Sequence, residues 1–463
     1  MVATIQAELE LYMKREGLTV SRLADKVGIN AGTISNILHR HRTISIAQLD
    51  RITKAMGLPE GAYYELFLED YLAAFSLDWR RIGPFIERCA QLNKLDFMQQ
   101  AARRIMDNLS YAVPLFEMAE QLFREEKWQA AAILYQTVAD SEKYQHSERL
   151  ALCHYRQFQM SICDNQEINL RAASKFEPYL ERLEVSDQLD ALKILIDTYS
   201  SLHRYDKVEE LAVEMEMKAE LYYKIKHKKI HSNESYREPS MALFGYILYS
   251  YLMRGVVCEY HGDFKQAEYY ATKYDNPKWV MEKDEASLNA MQKFHFWATA
   301  NKYQYKMMSG DEKYIPIFVN YIAEAEEEIL PGLFRVIDSA NKYNWNVDYL
   351  LERFNALVET NFLNKAPITY NKQVLDNEFA YFLTNISVYH LNKRRYSKGL
   401  SWLFKSLTYS IKINNNDSVI RSMCLYERFR HHASPKEQQI YKNIIKEVQK
   451  QNEKNLALTG PCY

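Results

Sequence analysis

The chain has 463 residues, more than one ordinary domain contains, and 47% of them are hydrophobic, which is enough for extended cores. The 13 glycines and 11 prolines are few for this length and argue against an all-β or loop-rich protein. A net charge of −1 excludes a polycation, yet residues 1–58 carry eight Lys or Arg against five Asp or Glu, which suits DNA binding by one small module.

The six cysteines are scattered, with no C-x-x-C pair and no histidine cluster at metal-binding spacing. No apolar run approaches the roughly 20 residues that a membrane-spanning helix needs, and the N-terminus lacks the apolar segment of a signal peptide. We therefore expect reduced thiols, a cytoplasmic protein, no membrane association, and neither a metal nor another cofactor.

Two short helices joined by a glycine are predicted near the N-terminus. Thr19 is a candidate N-cap for a helix over residues 20–27, because its hydroxyl can accept a hydrogen bond from the first turn. Gly28 supplies a tight turn, and Asn30 is a candidate cap for a helix over residues 31–38.

A further helix is predicted to follow, since Ser45 and Gln48 have the spacing of a capping box and Leu49 and Ile52 recur at helical intervals behind them. A short helix, a glycine turn and a second short helix with a polar outer surface are the parts that enter a DNA major groove about 12 Å wide. The pattern predicts a helix-turn-helix DNA-binding domain over residues 1–58.

This stretch resembles the helix-turn-helix of the phage-repressor family, also called the Cro/C1 or XRE-type family. The resemblance rests on the motifs Leu23-Ala24, Gly28-Ile29, Thr33-Ile34-Ser35 and Ile52-x-x-Ala55-Met56-Gly57-Leu58. The sequence departs from the family at Val20 and Ala31, where glutamine is common, so the resemblance does not fix the base contacts.

The candidate DNA-binding residues fall into two groups. The groove-facing group is Asn30, Ala31, Gly32, Thr33, Ser35 and Asn36, and the phosphate-contacting group is Arg22, Lys26, Arg40 and Arg42, with Thr19 beside them. Thr33 and Asn36 are the best candidates for reading base edges, since both side chains hydrogen-bond. Simple solvent exposure is the alternative for each polar residue, and a solvated loop is an equal alternative for Arg40 and Arg42.

Paired helices are predicted for the rest of the chain. A linker helix is expected over residues 59–77, a repeat domain over 78–454 and a short tail over 455–463. Four places have the register of tetratricopeptide repeats, in which an aromatic residue near a turn is accompanied by small residues on the two paired helices. The aromatic residues are Trp128, Tyr205, Phe264 and Tyr396, and the residues at the small positions are Ala131, Val208, Gly255, Ala267, Ser387 and Gly399.

The predicted fold is therefore all-α, with a helix-turn-helix domain followed by a tetratricopeptide-like right-handed α-solenoid. Stacked helix pairs of this kind form a concave groove that suits an extended peptide. The candidate peptide-binding residues are those that the register turns inward, with asparagines on nearby helices: Asp197, Ser201, Tyr249, Glu259, Tyr260, Asn301, Asn341, Tyr381, Thr384, Asn385 and Asn392. Ordinary surface or inter-helix packing is the alternative for each of them.

The combination resembles the RRNPP group of peptide-pheromone receptor regulators, which includes PlcR-like, PrgX-like, Rgg-like and NprR-like proteins. The resemblance implies a quorum-sensing transcriptional regulator: a homodimer, with a tetramer as a second state, that reads a palindromic DNA operator and binds a short signalling peptide. It also implies that the peptide changes the dimer geometry or the oligomeric state.

Two other classes of function stay open at this level. An enzyme is disfavoured, because the sequence has no nucleotide-binding glycine loop, nucleophile elbow, metal-ligand spacing or acid/base pair that would identify catalytic residues. The alternative to a peptide receptor is an interaction protein whose repeats bind a folded partner. Since NprR-like proteins combine DNA binding with binding of a response regulator, the resemblance allows such a partner here.

Overall fold

The structure is a computed structural model that describes residues 4–39, 41, 43–72, 78–163, 165–228, 237–358 and 372–458. These residues form 23 α-helices and short 3₁₀ turns, and none of them lies in a β-strand. The predicted all-α class, a helix-turn-helix followed by a helical, repeat-like body, is confirmed. No helix within the described ranges is long and apolar enough to cross a membrane.

The chain divides into two compact units, Met1–Met160 and Ser161–Tyr463. The helices of the first unit, the last of which ends at the boundary, are α1 Ile5–Glu16, α2 Val20–Val27, α3 Ala31–Leu38, α4 Ile46–Ala55, α5 Tyr64–Leu72, α6 Trp79–Gln91, α7 Leu95–Ile105, α8 Ala112–Arg124, α9 Trp128–Glu142 and α10 Glu148–Ser161.

The second unit is built from consecutive helices that pack side by side, most extensively α13 on α14 and α20 on α21. Its helices are α11 Gln166–Phe176, α12 Val185–Ser201, α13 Tyr205–Lys228, α14 Leu243–Tyr260, α15 Phe264–Lys273, α16 Glu285–Met308, α17 Tyr314–Ile322, α18 Glu326–Tyr343, α19 Asp348–Arg353, α20 Lys372–Asn392, α21 Tyr396–Lys412, α22 Asn416–Phe429 and α23 Pro435–Leu458.

Two predicted segments differ in extent from the structure. Of the expected linker over residues 59–77, the part from Tyr64 to Leu72 is helical, and residues 73–77 lie outside the described residues. The last helix continues to Leu458, so the first four residues of the expected tail extend it, and residues 459–463 lie outside the described residues.

Side-chain caps begin the first helices where the sequence predicted them. The Thr19 hydroxyl accepts a hydrogen bond from the Arg22 amide at 3.4 Å, and the side-chain Oδ1 of Asn30 accepts one from the Gly32 amide at 2.8 Å. Ser45 and Gln48 form a reciprocal capping box at 3.0 and 3.3 Å. These caps satisfy amides that have no partner within their own helix, so they fix where α2, α3 and α4 start.

The turn between α2 and α3 depends on Gly28. Its φ is +71°, in the left-handed region, and its amide donates to the Ala24 carbonyl at 2.9 Å. A Cβ added there would meet no atom within 4 Å, so a substitution is opposed by backbone strain alone. This conformation lets α3 leave α2 at a steep angle.

We expect Gly28→Ala to lower the free energy of unfolding by about 1 kcal/mol, because alanine is strained at positive φ. Asparagine enters the left-handed region more readily than alanine, so Gly28→Asn is the matched variant and should be less destabilised. Urea denaturation of the two variants measures the difference, and equal losses would mean that the conformation at Gly28 is not the cause.

Small residues lie where paired helices approach closely in the second unit. The Ser387 hydroxyl of α20 donates to the Gly399 carbonyl of α21 at 2.8 Å, and a Cβ added at Gly399 would come within 2.6 Å of the Leu391 side chain. On α14, a Cβ added at Gly255 would lie 3.7 Å from the Ala267 carbonyl of α15. Both pairs are small positions of the predicted repeat register.

A partly exposed ion pair joins the start of α19 to the residue before α21 in the second unit. Asp348 accepts two hydrogen bonds from the Arg395 guanidinium, both at 2.7 Å, and one from the Tyr389 hydroxyl at 2.9 Å. Arg395 is the main cause that lowers the pKa of Asp348 from 3.8 to about 2, with Tyr389 contributing.

The ion pair between Asp348 and Arg395 should stabilise the folded protein less as the solution becomes acidic. The folded-state pKa of Asp348 is depressed, so its contribution is fully present above about pH 4 and is lost as the pH falls towards about 2. We expect Asp348→Asn to lower the free energy of unfolding by about 1 kcal/mol at neutral pH, a value reduced to allow for solvent screening. The variant's free energy of unfolding should also change less with pH in that window than the wild type's does. The exposed Asp206→Asn is the control, and an unchanged acid profile in Asp348→Asn would contradict the assignment.

Candidate functional site

The helix α3 presents a mixed polar surface on the side away from the core. Ile34 and Ile37 are fully buried, whereas Gly32 and Asn36 are exposed. None of the other groove-facing candidates is fully buried: Asn30 is exposed, and Ala31, Thr33 and Ser35 are half-buried. The sequence-predicted groove residues thus share one helix and its cap, on a narrow element of the size that a major groove admits.

The predicted phosphate-contacting residues differ in exposure and in whether another side chain already holds them. Arg22 and Thr19 are exposed at the start of α2. The Lys26 ammonium donates to the Tyr12 hydroxyl at 2.5 Å and lies 5.2 Å from the centre of that ring, so it is held against α1. Arg40 and Arg42 lie outside the described residues.

Two exposed histidines follow α3 and are not among the sequence-based candidates. The Nδ1 atom of His39 lies 2.8 Å from the Ser35 carbonyl, and its ring stacks with that of His41 at 6.1 Å. They flank Arg40 in the sequence. Their position directly after α3 could have identified them as candidate DNA-contacting residues.

The helix-turn-helix is tied to the following helices by one arginine. Arg88 of α6 donates to Asp50 of α4 at 2.9 Å and to Glu60 at 3.1 Å. The Tyr64 hydroxyl donates to the other Asp50 oxygen at 2.9 Å, and burial together with this bond raises the pKa of Tyr64. These bonds hold α4, α5 and α6 together within the first unit.

The second unit contains a cavity of about 220 Å³ between α12, the start of α13, α14, α16, α17, α18 and α20. One part of its wall is apolar, formed by Leu252, Met253, Val256, Ala300, Phe318, Ile322, Pro331 and Gly332. The remainder is polar, formed by Lys193, Asp197, Ser200, Ser201, His203, Tyr205, Tyr249, Glu259, Trp297, Asn301, Gln304, Glu328, Arg335, Asn377 and Glu378. Apolar walls with converging polar groups are the usual composition of a ligand site.

A shared arginine occupies the polar part of this cavity. Arg335 of α18 lies 2.6 Å from Glu259 of α14 and donates to Glu378 of α20 at 2.8 Å. Gln304 of α16 donates to the second Glu259 oxygen at 2.8 Å. Burial raises the pKa of Glu259, although Arg335 opposes that shift. Burial lowers the pKa of Arg335, but Glu378 and Glu259 together raise it well above its ordinary value.

Other lining carboxylates have different partners. Asp197 of α12 accepts from the Lys193 ammonium at 3.0 Å and from the Tyr249 hydroxyl. Burial and this acidic neighbour raise the pKa of Tyr249 well above its ordinary value. Glu328 accepts from the indole N–H of Trp297 at 2.7 Å. These bonds fix the carboxylates in orientations set by neighbouring helices.

Aromatic rings surround His203 at one side of the cavity. Burial lowers the pKa of His203, and its Nε2 atom is buried without a hydrogen-bond partner within the described ranges. Its ring packs edge-on against Tyr381 at 5.0 Å. Tyr205 stacks on Tyr260 at 4.1 Å, and Tyr260 remains 59% exposed.

The structure brings together seven of the eleven predicted peptide-binding residues. Five line the cavity, and two contact lining residues: Asp197, Ser201, Tyr249, Glu259 and Asn301 belong to the first group, and Tyr260 and Tyr381 to the second. The remaining four do not line it. Asn341 donates to the Asn385 carbonyl at 2.8 Å, Thr384 is buried 2.7 Å from Ser406 of α21, and Asn392 is exposed at the end of α20.

Sequence reasoning missed several of the charged groups in the cavity. Arg335 and Glu378 lie on α18 and in the first half of α20, outside the four clear copies of the repeat register. Gln304 lies on α16, which is also outside those four copies. One sequence signal could have identified Arg335: it is a charged residue within the apolar run LFRVI on α18.

Comparison with known proteins gives a family for one part of the chain. Residues 9–62 match the model of the HTH_3 helix-turn-helix family. No curated protein shows significant sequence similarity to the chain. Among solved structures, a circular tandem repeat protein with novel repeat topology and enhanced subunit contact surfaces matches over 96% of this chain and 98% of its own, at 11% identity and a TM-score of 0.21. The N-terminal residues thus form an XRE-type helix-turn-helix domain, which supports a DNA-binding transcriptional regulator.

Proposed function

We propose that this protein is a cytoplasmic, quorum-sensing transcriptional regulator of the RRNPP type. In this proposal, the helix-turn-helix of a homodimer reads a palindromic operator, and the repeat-like body binds a short signalling peptide that changes dimer geometry or oligomeric state. The single observation that carries the peptide-binding part is that four residues chosen by repeat register line one cavity, together with one of the asparagines chosen on nearby helices: Asp197, Ser201, Tyr249 and Glu259, with Asn301.

The size of the cavity fits part of a peptide. At about 220 Å³ it is smaller than the 300–1,000 Å³ that drug-sized ligands occupy, so it accommodates one side chain or one end of an extended chain. The exposed ring of Tyr260, stacked on the lining residue Tyr205, offers an apolar contact beside it. Anchoring in a pocket together with contacts along a surface is a common mode of peptide recognition.

The DNA-binding part of the proposal rests on α3 and its cap. Thr33 and Asn36 have side chains that hydrogen-bond to base edges, and neither is needed for the buried packing of Ile34 and Ile37. If the heads act as a dimer, helix-turn-helix geometry requires half-sites about 34 Å apart or a multiple of that distance.

The test is the mass of the full-length protein, measured by light scattering with and without pools of short secreted peptides. The proposal predicts that one peptide shifts the dimer–tetramer balance or raises the midpoint of thermal unfolding. A peptide of the same composition in scrambled order is the control. If no peptide has an effect and a cell extract supplies a folded protein partner, the body is a docking surface and the peptide-receptor proposal is wrong.

A further inference from the structure

The charges that line the cavity of the second unit do not balance. Its wall contains four carboxylates and two cations, namely Asp197, Glu259, Glu328 and Glu378 with Lys193 and Arg335. The pKa of His203 is lowered by burial, so its imidazole is neutral near pH 7 and adds no positive charge. The side chains that line the cavity therefore include two more carboxylates than cations.

The arrangement around Arg335 shows where this excess is concentrated. One guanidinium lies between Glu259 and Glu378, so one positive charge is shared by two carboxylates. Only 9% of the Glu259 side chain is exposed, which limits the stabilisation that water can give to its charge. Bringing a cation into this space would offset the unfavourable burial of negative charge.

His203 supplies an additional acceptor. Its Nδ1 atom lies 3.4 Å from the Tyr205 hydroxyl, and its buried Nε2 atom has no partner within the described ranges. A neutral imidazole whose Nδ1 carries the proton leaves Nε2 free to accept a hydrogen bond. A ligand that donates N–H groups would therefore satisfy an atom that no described residue contacts by a hydrogen bond.

We propose that the cavity anchors the peptide through a positively charged group, which is a lysine or arginine side chain or the free N-terminal ammonium. This inference rests on the proposed function, since it names the chemistry of the peptide that the body binds. A C-terminal carboxylate or an acidic side chain is excluded from the cavity by repulsion from Glu259 and Glu378. The ammonium and guanidinium groups share one requirement, several acceptors around a positive charge, which the carboxylates and His203 meet.

The experiment is affinity selection by the full-length protein from a library of synthetic hexapeptides, with bound peptides identified by mass spectrometry. One library has free N-termini and a second is N-acetylated. Enrichment of lysine or arginine at one position in both libraries would identify a side chain as the anchor. Loss of binding on acetylation, without such enrichment, would identify the N-terminal ammonium.

Variants of the cavity carboxylates test the same contact between the peptide's cationic group and the protein. We expect Glu259→Gln combined with Glu378→Gln to weaken a selected peptide by about tenfold or more, because both substitutions keep the side-chain shape but remove the excess negative charge. Glu352→Gln, an exposed acid on α19, is the matched control and should bind as the wild type does. Thermal unfolding verifies that each variant is folded.

A measurement on the wild-type protein keeps the inference testable if the double variant does not fold. Replacing the enriched lysine of a selected peptide with norleucine, or acetylating its N-terminus, should weaken binding by about tenfold or more. Selected peptides that lack cationic enrichment and tolerate acetylation would overturn the cationic anchor but leave the peptide-receptor proposal standing. If the protein selects no peptide from either library, both are wrong.

Discussion

Replacing Arg335 with methionine is expected to lower the free energy of unfolding by about 3 kcal/mol at neutral pH. Arg335 is the cation shared by Glu259 and Glu378, and methionine fills similar space without charge. Its removal leaves two carboxylates close together in a site with little access to water, which costs far more than an exposed ion pair contributes. Urea denaturation of the full-length protein measures the loss.

The loss should also depend on pH in a defined direction. Without Arg335, burial and repulsion from Glu378 hold the pKa of Glu259 above 4.5, the ordinary value for glutamate. A raised folded-state pKa of an acid destabilises the folded protein at high pH, and the effect disappears below the ordinary value. The deficit should therefore be largest near pH 7 and shrink as the pH falls towards about 4.5.

A matched variant separates this effect from the loss of any arginine. Arg353 of α19 is exposed and donates to Asn320 at 3.3 Å, so Arg353→Met should change stability by less than about 0.5 kcal/mol. Equal losses in the two variants, or a loss in Arg335→Met that does not vary with pH, would contradict the described role of Arg335.

The second large effect is expected in the recognition helix. Thr33→Ala combined with Asn36→Ala should weaken binding to the specific operator by about 30-fold or more, since each of the two lost base contacts costs about 1–3 kcal/mol. Alanine favours helices more than threonine or asparagine does, so α3 should remain folded. Fluorescence anisotropy with a duplex selected from random DNA measures the affinity.

Comparing specific with non-specific DNA affinity distinguishes side chains that read bases from those that contact phosphates. Non-specific DNA binding and its salt dependence should stay unchanged in the Thr33 and Asn36 variant, whereas Arg22→Ala should weaken all sequences and reduce the salt slope by about 1. Gln100→Ala removes an exposed amide from α7, outside the helix-turn-helix, and is the control. Wild-type specificity in the double variant would exclude these two side chains as base readers.

Local signals made the DNA-binding domain predictable from the sequence. A cap at Thr19, Asn30 or Ser45 involves residues within three positions, so its spacing is visible in the chain. Gly28 is recognisable for the same reason, because few residues other than glycine adopt its left-handed conformation readily. The XRE-type domain could thus be identified before the structure was known.

The cavity was predictable only in part. Repeat register placed Asp197, Tyr249 and Glu259 on the right sides of their helices, because register follows helical periodicity. It does not specify which side chains meet across helices, and the contact of Arg335 with Glu259 joins residues 76 positions apart in the chain. Thr384 has an inward register too, but that side of α20 packs on α21, where its hydroxyl contacts Ser406.

Operator affinity of the full-length wild-type protein, measured with and without a peptide that it selects, shows whether the repeat-like body regulates DNA binding. We expect the peptide to change this affinity by about tenfold or more, or to change the mass of the protein–DNA complex. A scrambled peptide should do neither. A peptide that binds the protein tightly while operator affinity and complex mass stay the same would contradict the claim that the body regulates DNA binding.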